Sequence, residues 1–392
     1  MDGVWRAPHL PLFLLGSVWA ALVPLVWLWP ELSCDPLAWH RQELVLGFAG
    51  AAMGGYLLSA LPHWLKLAGV PGSGPSPRAT QGLVLAWLAG RAVGGACQPD
   101  ALALAGLALY PLGLTACLVL PVLHARDWAR VPVALAPLLL VLIALRLRLA
   151  ADGLTAVLGM ALLVALVGGR IVPAFLVART GDRSGRVPLP ASARLADGLL
   201  ALTLALHLLD APEARVGGVA LAAALGQALR LRGWALAPAL RGHGDLALLL
   251  IAWLWLPLGL ALVGAGLTGV LALPLPGLTH ALSMGLMGSM VLAVMARAWM
   301  RRAPGRLLAG WATAAAFAIL QLATLARLAL SDTGPAVVLP WACAWAILAT
   351  QAALATRRPV PRPVFSARRG TDPQPTGPMP FPAGRAARGR PH

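Results

Sequence analysis

Trp39-His40-Arg41-Gln42-Glu43-Leu44-Val45-Leu46-Gly47-Phe48-Ala49-Gly50 opens an apolar run that continues to Leu61-Pro62-His63-Trp64. Gly47, Ala51, Gly55 and Ser59 recur there at every fourth position. On a helix these residues share one face. A face of small side chains lets a second helix approach backbone to backbone in lipid. Glu43 stands on the same ladder, and His40 lies near its mouth. Ionisable groups at the end of a membrane helix are costly and mark functional positions by default. The stretch reads as a membrane helix with a candidate site at its start.

The rest of the chain fits that reading. Its 392 residues are 59% hydrophobic and only 11% charged, against about a quarter charged in a soluble domain. Mean hydropathy is +0.77. Lipid must therefore cover most of the surface, and the bilayer is the first partner. Trp5, Trp29, Trp39, Trp64, Trp128 and Trp299 fall near expected helix ends, as an interfacial belt requires. The net charge of +17 does not point to nucleic acid, because the basic residues are scattered over short loops and no basic aromatic groove accompanies them.

Segments of about 20 apolar residues can span a bilayer, and about twelve are present. They run approximately over 10–29, 44–65, 80–97, 101–123, 131–150, 154–172, 195–209, 216–231, 246–266, 278–299, 307–330 and 336–355. The first is too long for a secretory signal and lacks a small-residue cleavage site. Lys66, Arg78, Arg126, Arg130, Arg179, Arg183, Arg186, Arg194, Arg230, Arg232, Arg241, Arg301, Arg302 and Arg306 fall on alternate loops. Glu31, Asp35, Asp100, Asp152, Asp210, Glu213 and Asp332 fall on the others. By the positive-inside rule the first set and both termini are cytoplasmic. The expected fold is all-α: a polytopic integral membrane protein of about twelve transmembrane helices, with residues 1–356 as the helical domain. Residues 357–392, rich in Pro, Arg and Gly, are expected to form a disordered basic cytoplasmic tail.

The candidate chemistry lies on the expected outer side. His40 begins the second span, His280 the tenth, and His207 ends the seventh. The tenth span carries its own ladder, Gly277, Ala281, Gly285, Ser289 and Ala293. His280, Met284 and Met287 follow at spacings of four and three, which sets an imidazole and two thioethers on one side of a helix. Imidazole suits haem iron and copper, and thioether suits Cu(I). Methionine is also a common packing residue, and a helical His can simply hydrogen-bond a neighbour. The two ladders are expected to bring their helices together around a shared site, with Glu43 orienting an imidazole. Arg91, Arg146, Arg148 and Arg327 also fall near outer helix ends. There they either pair with an anionic ligand such as haem propionates or snorkel to lipid phosphates. Cys34, Cys97, Cys117 and Cys343 form no metal spacing. Cys34 and Cys97 share the outer side, where a disulfide can form, while Cys117 and Cys343 read as buried thiols. No hydrolase triad, P-loop, zinc-protease or dinucleotide motif is present in a usable context, so the sequence assigns no reaction.

Several segments together resemble the NnrS family. Trp39 to Trp64 is similar to its Trp-His-x-His-Glu-Met-x-x-Gly-Phe signature ending near Pro-Asn-Trp. Trp87-Leu88-Ala89-Gly90-Arg91 matches the family's Trp-Leu-Ala-Gly-Arg. Gly168-Gly169-Arg170-Ile171-Val172-Pro173-Ala174-Phe175 and Trp255-Leu256-Pro257-Leu258-Gly259 resemble two further segments. His280 to Gly288, followed by Met295-Ala296-Arg297, resembles the late histidine motif. The matches stand in order over most of the chain. They imply a bacterial inner-membrane protein of about twelve helices that binds haem and copper and serves the response to nitric oxide and nitrosative stress, with nitric oxide or a redox protein as partner. On this resemblance His40, His280, Glu43 and Arg91 are cofactor-binding candidates, and His40, His280 and Met284 are metal-ligand candidates.

Four departures weigh against copper more than against haem. Gln42 replaces the second histidine of the signature, His63 the asparagine before Trp64, and Leu250 stands near where another histidine is expected. The late Gly-His-Thr-Gly-Arg is Arg302-Ala303-Pro304-Gly305-Arg306. The rival readings are a metal-free transporter and a cofactor-free scaffold descended from this family. Against the transporter, no inverted repeat or pair of broken helices is evident.

Overall fold

The computed structural model describes residues 3–33, 35–70, 74–94, 99–180, 190–234, 236, 244–303, 306–330, 334–362 and 364–365. Twelve helical runs dominate them: α1 (His9–Trp27), α2 (Pro36–Leu67), α3 (Pro77–Val93), α4 (Asp100–His124), α5 (Leu138–Ala150), α6 (Gly153–Thr180), α7 (Pro190–Leu208), α8 (Glu213–Arg230), α9 (Gly244–Leu267), α10 (Leu275–Arg297), α11 (Trp311–Ala329) and α12 (Pro335–Ala355). Each falls on one of the expected apolar segments.

Nine of these helices are long and apolar enough to cross a membrane. The other three are α3, α5 and α8. α3 has 17 residues. α5 has 13 and is separated by Pro137 from the short turn Val131–Ala134. α8 carries Glu213, Arg215 and Arg230. Spanning segments must satisfy every backbone group internally, which is why hydropathy locates them. Outward-facing Leu85, Leu120, Leu149 and Leu195 are each about two-thirds exposed, as a lipid-covered surface allows.

Caps and prolines set the boundaries. Asp35 accepts from Ala38 N at 2.9 Å and Ser76 from Ala79 N at 3.1 Å, with Pro36 and Pro77 at the first helical positions. A two-stranded ribbon, β1 (Arg301–Ala303) with β2 (Arg306–Leu308), interrupts the all-helical pattern between α10 and α11.

The small-residue ladders receive side chains from other neighbours, that of α2 from α1 and that of α10 from α9 and α11. Along α2, a Cβ on Gly47 would lie 2.6 Å from the Trp19 ring, and one on Gly55 2.5 Å from Phe13. His9 Nδ1 hydrogen-bonds Ser59 Oγ at 3.0 Å. The whole α2 ladder is therefore filled by α1. On α10, a Cβ on Gly285 would lie 2.5 Å from the Trp255 ring of α9, and Ser289 accepts from Gln321 Nε2 of α11 at 2.7 Å. Gly277 faces nothing within 4 Å. A ladder records that a neighbour is close, not which neighbour.

The segment before α1 meets the segment after α12. Arg6 donates to the carbonyls of Thr356 at 2.6 Å and Arg358 at 2.8 Å. Structure also continues past the boundary expected at 356. Arg297 Nε donates to Phe365 O at 3.2 Å and Arg302 to Val364 O at 2.9 Å. Phe365 is buried against Phe13 and Tyr56. The chain from 366 onward lies outside the described residues. The expectation of two buried thiols is corrected as well, since Cys117 is half-buried and Cys343 exposed. Cys34 and Cys97 lie outside the described residues.

Candidate functional site

At the end of the bundle opposite the contact of Arg6 with Thr356 and Arg358, helices converge on a cavity of about 450 Å³. Its walls come from the C-terminal ends of α1, α7, α9 and α11 and the N-terminal ends of α2, α6, α8, α10 and α12. Odd-numbered helices thus arrive at this end and even-numbered ones leave it. The size lies within the range of about 300–1,000 Å³ usual for small-molecule and cofactor sites. The N-termini gathered here present a partial positive charge that favours anionic ligand groups.

His40 and His280, far apart in sequence, line this one cavity. Each is followed by a π-helical segment, Glu43–Ala49 after His40 and Ala281–Gly288 after His280. Such segments are rare and recur at functional sites. Each segment packs a glycine against a tryptophan: Trp19 occupies the space that a side chain at Gly47 would need and Trp255 the space at Gly285.

The two rings are held differently. His40 Nδ1 accepts from Trp27 Nε1 at 3.2 Å, with the rings edge to face and 5.3 Å apart. His280 Nδ1 contacts Pro276 O, one helical turn earlier, at 2.7 Å. Met284 and Met287 are buried in the same wall, as their spacing from His280 requires. Arg41 and Arg327 also line the cavity; Arg41 donates to Ala151 O at 3.1 Å and Arg327 to Leu330 O at 3.2 Å.

Glu43 and Arg91, the other two cofactor-binding candidates, pair with each other, and neither lines the cavity. Glu43 Oε2 lies 2.5 Å from Arg91 Nε and accepts from Trp19 Nε1 at 2.7 Å. Its Oε1 accepts from Gln42 Nε2 at 2.9 Å, and that amide also donates to Gly94 O at 2.6 Å. Trp87, beneath the Arg91 guanidinium, donates to Gly47 O at 2.9 Å. Both motifs therefore clamp α2 to α1 and α3, and the three contacts that hold the Glu43 carboxylate come from Arg91, Trp19 and Gln42. Two of the other arginines expected on the outer side find partners too: Arg146 with Asp152 at 3.0 Å and Arg148 with Asp100 at 2.8 Å.

A cluster at the cavity rim went unread in the sequence. Asp152, just before α6, accepts from His207 Nε2 at 3.0 Å, from Arg146, and from Thr155 through both its amide (3.0 Å) and hydroxyl (2.5 Å). Burial alone would raise the Asp152 carboxyl. The hydrogen bonds from His207 and Thr155 outweigh it and hold the group well below the usual carboxylate range. The available signal was that the sequence sets Asp152 and His207 on the same expected side, each at a helix end. Among the described residues, no group of three or more His, Cys, Asp or Glu could hold a metal ion.

The remaining family-like segments are packing devices. Gly169 O accepts from Arg230 Nη2 at 2.9 Å, and Arg230 also pairs with Asp197 at 2.8 Å. Trp255 Nε1 donates to Gln321 Oε1 at 2.7 Å. Gly259 gives way to Leu282 of α10.

Against known proteins, the family model described as NnrS protein matches residues 3–359, nearly the whole helical region. No curated protein and no solved structure matched the chain. The chain belongs to the NnrS family.

Proposed function

We propose that this NnrS-family membrane protein carries haem in the cavity between α2 and α10. On this reading it resides in the bacterial inner membrane, with the cavity facing outward, and serves the response to nitric oxide or nitrosative stress. All twelve helices cross the bilayer, α3, α5 and α8 included. The observation that carries the reading is the convergence of His40 and His280 on one cavity. Three further features suit haem: two imidazoles with ring nitrogens left over, mostly apolar walls, and two guanidinium groups, Arg41 and Arg327. Arginine fits carboxylates through paired hydrogen bonds, which matches the propionate groups of haem. When bound, haem supplies an iron centre able to take a diatomic ligand or an electron.

The residues present do not fit a separate copper centre as well. Gln42, where the family signature has a second histidine, is turned to Glu43 and Gly94. Met284 and Met287 remain as thioethers beside His280, where they shape the pocket and keep it dry. Absorbance and elemental analysis of protein purified after expression with ample haem and copper test the reading. The expected result is about one haem per chain with a Soret band and little copper. Protein that takes up no haem under those conditions overturns the proposal.

A further inference from the structure

We propose that the two cavity histidines have opposite roles: His280 offers a bare Nε2 lone pair as the iron ligand, and His40 offers Nε2–H as a hydrogen-bond donor to a small ligand in the cavity. The inference rests on the haem reading above and sharpens it.

The proton positions follow from the partners. A backbone carbonyl has no proton to give, so the 2.7 Å contact of Pro276 O with His280 Nδ1 places a hydrogen on that nitrogen. The neutral ring then has an unprotonated Nε2. This is the usual arrangement of a metal-bound histidine, whose second nitrogen donates to a carbonyl or carboxylate that fixes the tautomer and raises the basicity of the ligating atom. His40 has the reverse arrangement. The indole Nε1 of Trp27 is a donor only, so the 3.2 Å contact requires an unprotonated His40 Nδ1. The neutral ring must then carry its proton on Nε2. For His40 Nε2 to bind a metal, the ring must lose that proton or give up the Trp27 hydrogen bond.

The identical residue type in two related helical settings therefore yields one acceptor and one donor. A donor in a low-dielectric cavity stabilises a bound group with a lone pair or partial negative charge, such as an iron-held diatomic molecule. Trp27 is thereby a positioning residue: it touches neither iron nor ligand and acts by fixing the His40 tautomer.

Two measurements test this. In haem-free wild-type protein labelled with 15N-histidine, ring nitrogen shifts should report hydrogen on Nδ1 for His280 and on Nε2 for His40; the opposite tautomer at either ring overturns the inference. In haem-loaded protein, His280→Gly should lose the histidine-ligated spectrum and regain it when imidazole is added. His40→Ala should keep full haem content, while carbon monoxide, used as probe, shifts its stretching frequency and leaves about tenfold faster, the equivalent of about 1.4 kcal/mol. Trp27→Phe should free His40 Nδ1 and convert the ferric spectrum towards the six-coordinate low-spin form. A wild-type protein already six-coordinate with two imidazoles, or haem loss in His40→Ala equal to that in His280→Gly, defeats the role assignment while leaving the haem reading intact. Failure of the wild type to bind haem defeats both.

Discussion

The two ends of this bundle bury polar groups in opposite ways. At the end where the start of α1 lies beside the end of α12, Arg297 and Asp245 are both fully buried and pair at 2.7 Å. The same guanidinium lies over the Phe175 ring at 4.1 Å and donates to Phe365 O. Residues after α12 return to supply that carbonyl and to wedge Phe365 beside Phe13 and Tyr56. This end is closed by the protein's own groups. At the other end, His40 and His280 each use one ring nitrogen within the chain and face a cavity of about 450 Å³. Packing shuts in the polar groups at the first end, whereas the two imidazoles at the other face open space, which marks the second as the place for a ligand.

The comparison can be broken hardest at the closed end. Arg297→Ala leaves Asp245 buried without its cation, and removing one partner of a buried pair typically costs about 3–5 kcal/mol. Thermal unfolding in detergent should show a large loss of stability in this variant, while exchanging both residues for apolar ones of similar volume recovers most of it. Equal stability of Arg297→Ala and wild type would mean that the ion pair does not hold this end together.

A second set of variants sharpens the contrast within single helices. Gly55→Leu must displace the Phe13 ring, which a Cβ alone would approach to 2.5 Å, and overpacking of this kind costs about 1–3 kcal/mol. At Gly277, one residue of the α10 ladder near the cavity, a Cβ would meet nothing within 4 Å, so Gly277→Leu should leave the melting temperature nearly unchanged. If the two variants destabilise alike, helix contact along the ladders is not what sets the packing.

These residues also show what a sequence can and cannot convey. Each expected apolar segment holds a helix, because a backbone surrounded by lipid has few alternatives. The π-helical segments, the break at Pro137 and the ribbon at Arg301–Leu308 were not legible, since local composition does not encode where neighbouring helices press. The site was half legible. His40 and His280 stood out because imidazoles near lipid are uncommon, and both line the cavity. Glu43 stood out for the same reason but answers to Arg91, Trp19 and Gln42, and nothing in its own segment names two of those partners. Asp245 and Arg297, and Asp152 and His207, are each about fifty residues apart, so their pairing needed the fold.

The smallest effect belongs to the rim, where the two strategies meet: Asp152 is satisfied within the chain, yet its partner His207 lines the cavity. Its depressed carboxyl fixes the sign of a pH dependence. The unfolded chain binds a proton near pH 4, while the folded chain does so only at lower pH. The stabilising contribution is therefore fully present above about pH 4 and is lost as pH falls through the folded value. Asp152→Asn should lower stability modestly at neutral pH, by less than about 1 kcal/mol for a partly exposed pair. It should also flatten the decline that the wild type shows on acidification below about pH 4. Melting curves at pH 7, 5 and 3 for both proteins provide the check. Parallel acid profiles would show that the Asp152 cluster adds nothing to the rim, and that the open end keeps its shape through helix packing alone.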